Sequence, residues 1–196
     1  MNYNPAGSYQ QYPGGGPGPY TSPPGPAPAG SSKVATALLL ISTILIGLMA
    51  GLFFAFGISV MPGLAAGDER TYVTAMQSFN KAIDGNALFG MVFVLALLTS
   101  AASAVVEFRK GRRAVAIWVG AASVAYLIVL MITFSVDIPL NNELADAGNA
   151  AQMTDFSIVD KFKGTWATTN IMRTLLCTAA LTALSRALVL YGRATR

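Results

Sequence analysis

Three long apolar runs of this chain contain no charged residue: Val34–Met61, Ala87–Val106 and Ala114–Val136. A hydrocarbon core about 30 Å thick takes about 20 helical residues to cross, and each run reaches that length. Backbone polar groups in hydrocarbon must bond within their own segment, so the runs are read as helices. A fourth run, Ala167–Leu190, is interrupted by Arg173 and Arg186. The uncharged stretch between them, Thr174–Ser185, covers only about 18 Å as a helix. It crosses if Arg186 snorkels inward and Arg173 snorkels outward or is paired. The expected fold is therefore all-α, a four-helix transmembrane bundle. The composition agrees: 54% hydrophobic and 11% charged residues in a chain of 196, with a mean hydropathy of +0.54, which is too apolar for an ordinary soluble domain. The first run follows the polar residues 1–32 and is longer than a signal-peptide core, so it is read as a retained helix.

Basic residues set the expected orientation. The short connection Glu107–Arg113 holds Arg109, Lys110, Arg112 and Arg113 against one Glu. The connections Pro62–Asn86 and Asp137–Trp166 are acidic on balance, and Lys33, Arg193 and Arg196 flank the ends. By the positive-inside rule the chain is a multi-pass cell-membrane protein with both termini cytoplasmic. The net charge of +4 is then a topology signal, and no nucleic-acid partner is expected. Residues 1–32, rich in Pro, Gly, Ser and Tyr, form a separate disordered cytoplasmic tail ahead of a membrane domain at 33–196. That tail is either inert or a docking segment of the polyproline type.

The same composition narrows the chemistry. There is no histidine and a single cysteine, Cys177, so an intramolecular disulfide and mixed His/Cys metal sites are excluded. Neither metal nor cofactor is expected. Cys-x-x-Cys, Gly-x-Ser-x-Gly, His-Glu-x-x-His and a phosphate-cradling Gly-Lys loop are all missing. A pair of membrane carboxylates suited to proton coupling is missing too, which argues against an ion-driven transporter.

What remains is a set of polar residues gathered at the outer ends of the spans. Trp166, Asn170, Arg173 and Cys177 fall at i, i+4, i+7 and i+11, on one helical stripe. With the helix entering the bilayer near Trp166, Arg173 lies about 10 Å deep, where a charge requires a partner or a wet cavity. Asp137, at the end of the neighbouring span, is the natural partner. Two uses fit that pair: a structural bridge between two helices, or a substrate-facing cation with a carboxylate beside it. Trp166 serves equally as an interfacial belt residue or as a stacking surface. From Tyr72 to Ile83 apolar residues recur every three or four positions, giving a short amphipathic helix with Gln77 and Asn80 on one face. Asn141 and Asn142 follow Pro139, read as ending the third helix. Pro62 and Gly63 end or kink the first, and Asn141–Gly148 is read as a polar connection. Gly47, Gly51 and Ala55 form a small-residue stripe for packing within the bundle or between copies.

The string Gly51-Leu52-Phe53-Phe54-Ala55-Phe56-Gly57-Ile58-Ser59-Val60-Met61-Pro62-Gly63-Leu64 resembles the first-helix signature of a small membrane family that includes anthrone oxygenases. Met76-Gln77-x-x-Asn80, Ile138-Pro139-Leu140-Asn141 with Leu144, and Trp166-x-x-x-Asn170-x-x-Arg173 resemble its later motifs in order. The resemblance covers roughly Gly47 to Arg173. It implies a four-helix membrane protein and, for the named members, cofactor-independent oxidation of polyketide anthrones to anthraquinones. Asp137 departs from the pattern, which more usually has Asn there. Transferred to this chain, the resemblance implies Arg173, Asp137 and Asn170 in catalysis. A flat aromatic substrate would be held by Trp166, Gln77, Asn80, Asn141, Phe53 and Phe56, with Phe79 nearby. Arg173, Asn170 and Gln77 would stabilise an oxyanion and Asp137 would serve as base. The other use of such a bundle is non-catalytic, as a small-molecule or lipid binder or as an accessory subunit in a homo-oligomer or membrane complex.

Overall fold

A computed structural model describes residues 32–196, and every regular element among them is helical. Five continuous helices are formed: α1 Lys33–Ala65, α2 Glu69–Asp84, α3 Ala87–Arg109, α4 Arg113–Asp146 and α5 Ser157–Ala194. All but α2 are long and apolar enough to cross a membrane. The readings of the tail, docking or inert, lie outside the described residues.

The four long helices form a closed antiparallel ring in which α1 packs on α3 and α5, and α4 packs on α3 and α5. Short connections between antiparallel neighbours produce this up-and-down order. Hydroxyls inside the bundle bond back to their own helix: Ser42, Ser100 and Ser123 donate to carbonyls three or four residues earlier, as does the partly buried Thr174. That satisfies a buried hydroxyl without a partner from another helix. Gly47 faces α5, where a Cβ would meet Leu181 at 3.7 Å, whereas Gly51 has nothing within 4 Å and is exposed. The stripe is thus split between the bundle interior and its outer surface.

One end of the ring gathers the start of α1, the α3–α4 turn and the end of α5. Tyr191 Oη lies 2.8 Å from Thr36 Oγ1, and Arg112 sits 4.8 Å over the Tyr191 ring. The turn itself passes through Gly111 at φ +74°, a left-handed conformation that disfavours a side chain. At this end Arg112 Nε and Nη2 both donate to the Glu107 carboxylate, the second at 2.9 Å, and Glu107 is fully buried. The carboxylate holds the Arg112 guanidinium above its ordinary pKa.

The other end is built differently. Here α2 lies across the bundle, started by Asp68, whose Oδ1 accepts from Thr71 N at 2.9 Å, the normal service of an N-cap. Tyr72, Val73 and Met76 of α2 pack with Met61, Leu144, Ile158, Val159, Phe162 and Trp166 into a second hydrophobic core, separate from the one inside the ring. Burial pushes the Tyr72 hydroxyl up to about 12, so it stays neutral.

The reading of Pro139 as ending its helix is overturned, and of the two readings of Pro62, an end or a kink, the end is overturned. Neither Pro62 nor Pro139 stops its helix: α1 runs on to Ala65 and α4 to Asp146. Each helix widens into a π turn just before the proline, at Phe56–Val60 and at Thr133–Asp137. A proline removes one donor and crowds the carbonyl four residues back. The extra residue shifts the pairing, so that Met61 N donates to Phe56 O and Ile138 N to Thr133 O, five residues back. Asn141–Gly148 is accordingly not a loose connection. Most of it is helix, anchored by the fully buried Leu144 and ended near Gly148 at φ +83°. A third π turn, Phe162–Trp166, lies in α5 with no proline nearby.

Candidate functional site

The three π turns lie at the α2 end of the bundle, and each contributes to one cavity. Phe56, Thr133, Phe134, Asp137 and Trp166, all within π turns, line a space of about 350 Å³. That volume lies at the lower end for small-molecule sites. π turns rotate the side chains that follow them and recur at functional sites. Here they bring residues from three helices to one point.

At the base of the cavity lies Arg173, 4% exposed. Its guanidinium carbon lies 4.5 Å from the Phe53 ring centre and 5.3 Å from that of Trp166. Nη1 donates to Thr133 Oγ1 at 3.3 Å, and Nη2 lies 3.2 Å from Asp137 Oδ1. The second contact is an ion pair without hydrogen-bond alignment, because Nη2 and Nε both lack a hydrogen-bond partner. Asp137, 1% exposed, also accepts at Oδ1 from Thr169 Oγ1 at 2.7 Å, which leaves Oδ2 unpartnered. Asn170 Nδ2 donates to Phe53 O at 2.9 Å and its Oδ1 is unpartnered. Gly57 makes room for that amide: a Cβ there would stand 3.3 Å from Asn170 Nδ2.

Among the described residues nine buried side-chain nitrogen or oxygen atoms have no hydrogen-bond partner, and seven of them belong to residues lining this cavity: Asn80, Asp137, Asn141, Trp166, Asn170 and two atoms of Arg173. Buried polar groups are nearly always satisfied, so such a concentration marks this space out from the rest of the molecule. Donors (Trp166 Nε1, Arg173 Nε and Nη2) stand beside acceptors (Asp137 Oδ2, Asn170 Oδ1). Around them the aromatic rings of Phe53, Phe56, Phe89, Phe93 and Trp166 supply flat apolar walls.

Of the residues singled out from sequence, the cavity brings together Arg173, Asp137, Asn170, Trp166, Asn80, Asn141, Phe53 and Phe56. Gln77 is apart. Its Nε2 donates to both Leu144 O and Gly148 O at 2.8 Å, clamping α2 to the end of α4. It borders a more open polar hollow of about 580 Å³ together with Asn80, Lys81, Asn141 and Asn142. Phe79 packs edge-on against Phe56, with ring centres 6.0 Å apart, outside the cavity wall. Sequence reasoning missed Thr133 and Thr169, which hold the Arg173–Asp137 pair. Thr133 lies four residues before Asp137 and Thr169 four before Arg173, a spacing that signals a shared helical face. It missed Phe93 and Gly57, for which an isolated sequence carries no such signal. It also read the Arg112 connection only as a topology signal, although a Glu five residues before an Arg, with Gly between them, fits a tight ion-paired turn.

A model of the anthrone oxygenase family matches residues 79–183 of the chain. No curated protein and no solved structure matches it. The matched segment carries Asn80, Asp137, Asn141, Trp166, Asn170 and Arg173, and begins after Phe53, Phe56 and Gln77. Since it spans more than half of the 196 residues and lies in a four-helix membrane bundle with its polar cavity at one end, the chain belongs to the anthrone oxygenase family.

Proposed function

We propose that this protein is a cofactor-independent oxygenase of the cell membrane, acting on a flat phenolic substrate of the polyketide type at the extracytoplasmic side. The orientation is part of the proposal: Arg109, Lys110, Arg112 and Arg113, all near the end away from the cavity, favour a cytoplasmic position for that end and for both termini. The observation that carries the reading is the concentration of unpartnered polar atoms around Arg173 inside an aromatic-walled cavity.

An anthrone carries an acidic C–H opposite its carbonyl. Asp137 Oδ2 takes that proton, and the charge moves to the carbonyl oxygen. Arg173 Nε and Nη2 and Trp166 Nε1 are donors that can receive this oxyanion, in a site where preorganised donors act in a low dielectric. The resulting anion is electron-rich enough to reduce O2 directly. A C–O bond forms at the deprotonated carbon, and loss of water from the hydroperoxide leaves the second ketone. One O2 and one anthrone give one anthraquinone and one water, so no external reductant is required.

Oxygen uptake tests this with emodin anthrone and detergent-purified protein, against a no-protein control because anthrones autoxidise. Wild type is expected to exceed the control. Arg173→Ala is expected to fall to background, a loss on the order of 100-fold or more, and Asp137→Asn to be strongly impaired. Uptake no faster than the control in wild type would rule out this substrate class. The competing reading, a non-catalytic binder or accessory subunit, draws on the 3.2 Å contact between Arg173 and Asp137, which serves as a helix tie whether or not a ligand binds.

A further inference from the structure

The cavity has exposed rails as well as a buried base. Gly90 and Val94 are one turn apart on α3, and Phe134 and Ile138 are one turn apart on α4. All four line the cavity, and all four are also exposed, Val94 at 44% and Phe134 at 56%. Residues four apart lie above one another on a helix face, so the two pairs form the edges of a slot between neighbouring helices. The slot begins about 5 Å and reaches about 10 Å along α3 from Ala87. Exposed residues of the same two helices include Met91, Leu95 and Met131, which suit hydrocarbon rather than water, while Asp84 and Asn86 line the cavity at its outer end. Gly90 borders open space, since an added Cβ there would have nothing within 4 Å. Behind the slot stand the unpartnered polar atoms of Arg173, Asp137 and Asn170.

We propose that this slot is a lateral portal, and that the ligand is a neutral, bilayer-dissolved aromatic molecule that reaches Arg173 from the lipid. The inference rests on the reading of the cavity as a small-molecule site, but not on turnover. It deepens that reading by excluding substrates with a fixed charge, because hydrocarbon lies between them and the slot. Ionisation of the substrate then follows entrance, once its C–H faces Asp137.

The test uses the full chain in lipid nanodiscs with Trp118→Phe, which leaves Trp166 as the only indole. Stopped-flow quenching of Trp166 is followed on mixing with vesicles preloaded with 9,10-anthraquinone, and separately with anthraquinone-2-sulfonate in the buffer. The portal predicts fast quenching by the neutral quinone, with a rate that follows its mole fraction in the lipid, and at least about tenfold slower quenching by the sulfonate. Gly90→Phe should slow the neutral quinone at least about tenfold by filling the slot. Leu175→Phe, on a lipid-exposed face of α5, and Asn142→Phe, in the polar hollow, should leave it unchanged. If Asn142→Phe slows quenching and Gly90→Phe does not, access is from water and the portal is overturned while the binding cavity stands. If neither quinone quenches Trp166 in any variant, the small-molecule site itself is overturned, and the portal with it.

Discussion

Two buried ion pairs occupy opposite ends of this bundle, and they are built to different standards. At the end that gathers the start of α1 and the end of α5, Glu107 and Arg112 meet through two parallel hydrogen bonds, and the guanidinium is also stacked on Tyr191. Only Nη1 of that arginine is left over, and neither residue lines a cavity described above. At the α2 end, Arg173 and Asp137 share one 3.2 Å contact without hydrogen-bond alignment. Both keep unpartnered atoms, and both line a 350 Å³ space. A saturated buried pair fixes geometry, whereas an unsaturated one is costly by itself and is relieved by a ligand. The contrast supports an architectural role for the first pair and the proposed functional role for the second.

The largest effect on stability should come from the saturated pair. Glu107→Ala leaves Arg112 buried and unpaired, and should lower stability by about 3–5 kcal/mol. Thermal unfolding in detergent reads this directly, and a shift no larger than that of an exposed-site control would break the contrast. Next comes the clamp between the site and its cover. Gln77→Ala removes two hydrogen bonds to the end of α4 and should cost roughly 1–3 kcal/mol. It should also raise hydrogen exchange in α2 more than in the four long helices. A drop in activity without any loosening of α2 would instead give Gln77 a direct role at the substrate. The smallest effect concerns Asp68, which the Thr71 amide and hydroxyl hold below the usual carboxylate pKa. A depressed carboxylate contributes stability at pH values above its unfolded pKa, and that contribution fades as the pH falls through the folded one. Opening of α2 should therefore increase slightly in acid, below about pH 4. Asp68→Asn should show no such acid-linked step, and a variant that retains it would assign the step to another group.

The helices were legible because charge-free length is a physical requirement of hydrocarbon and does not depend on tertiary context. The stripe Trp166, Asn170, Arg173 was legible for a similar reason: three polar residues on one face of an apolar helix need a common explanation. The continuations of α1 and α4 were not. Pro62 and Pro139 carry strong local stop signals, and the helix that continues past each π turn places Leu64, Leu140 and Leu144 in the second core. That core was hidden as well, since all its members but Met61 lie in or beside segments whose overall composition is polar. The position of Gln77 illustrates the limit of face-sharing arguments. It lies three residues from Asn80 on one helix, yet its amide reaches the end of α4 while Asn80 reaches the cavity.

The most direct test replaces each pair with apolar residues of similar size, a change that buried ion pairs often tolerate without loss of stability. Anthrone-dependent oxygen uptake per folded molecule is then compared between Glu107→Leu/Arg112→Met and Asp137→Leu/Arg173→Met. The first double variant is expected to keep the wild-type rate and the second to fall to the autoxidation background. Equal rates in the two, whether both retained or both lost, would contradict the division of the molecule into an architectural end and a chemical end.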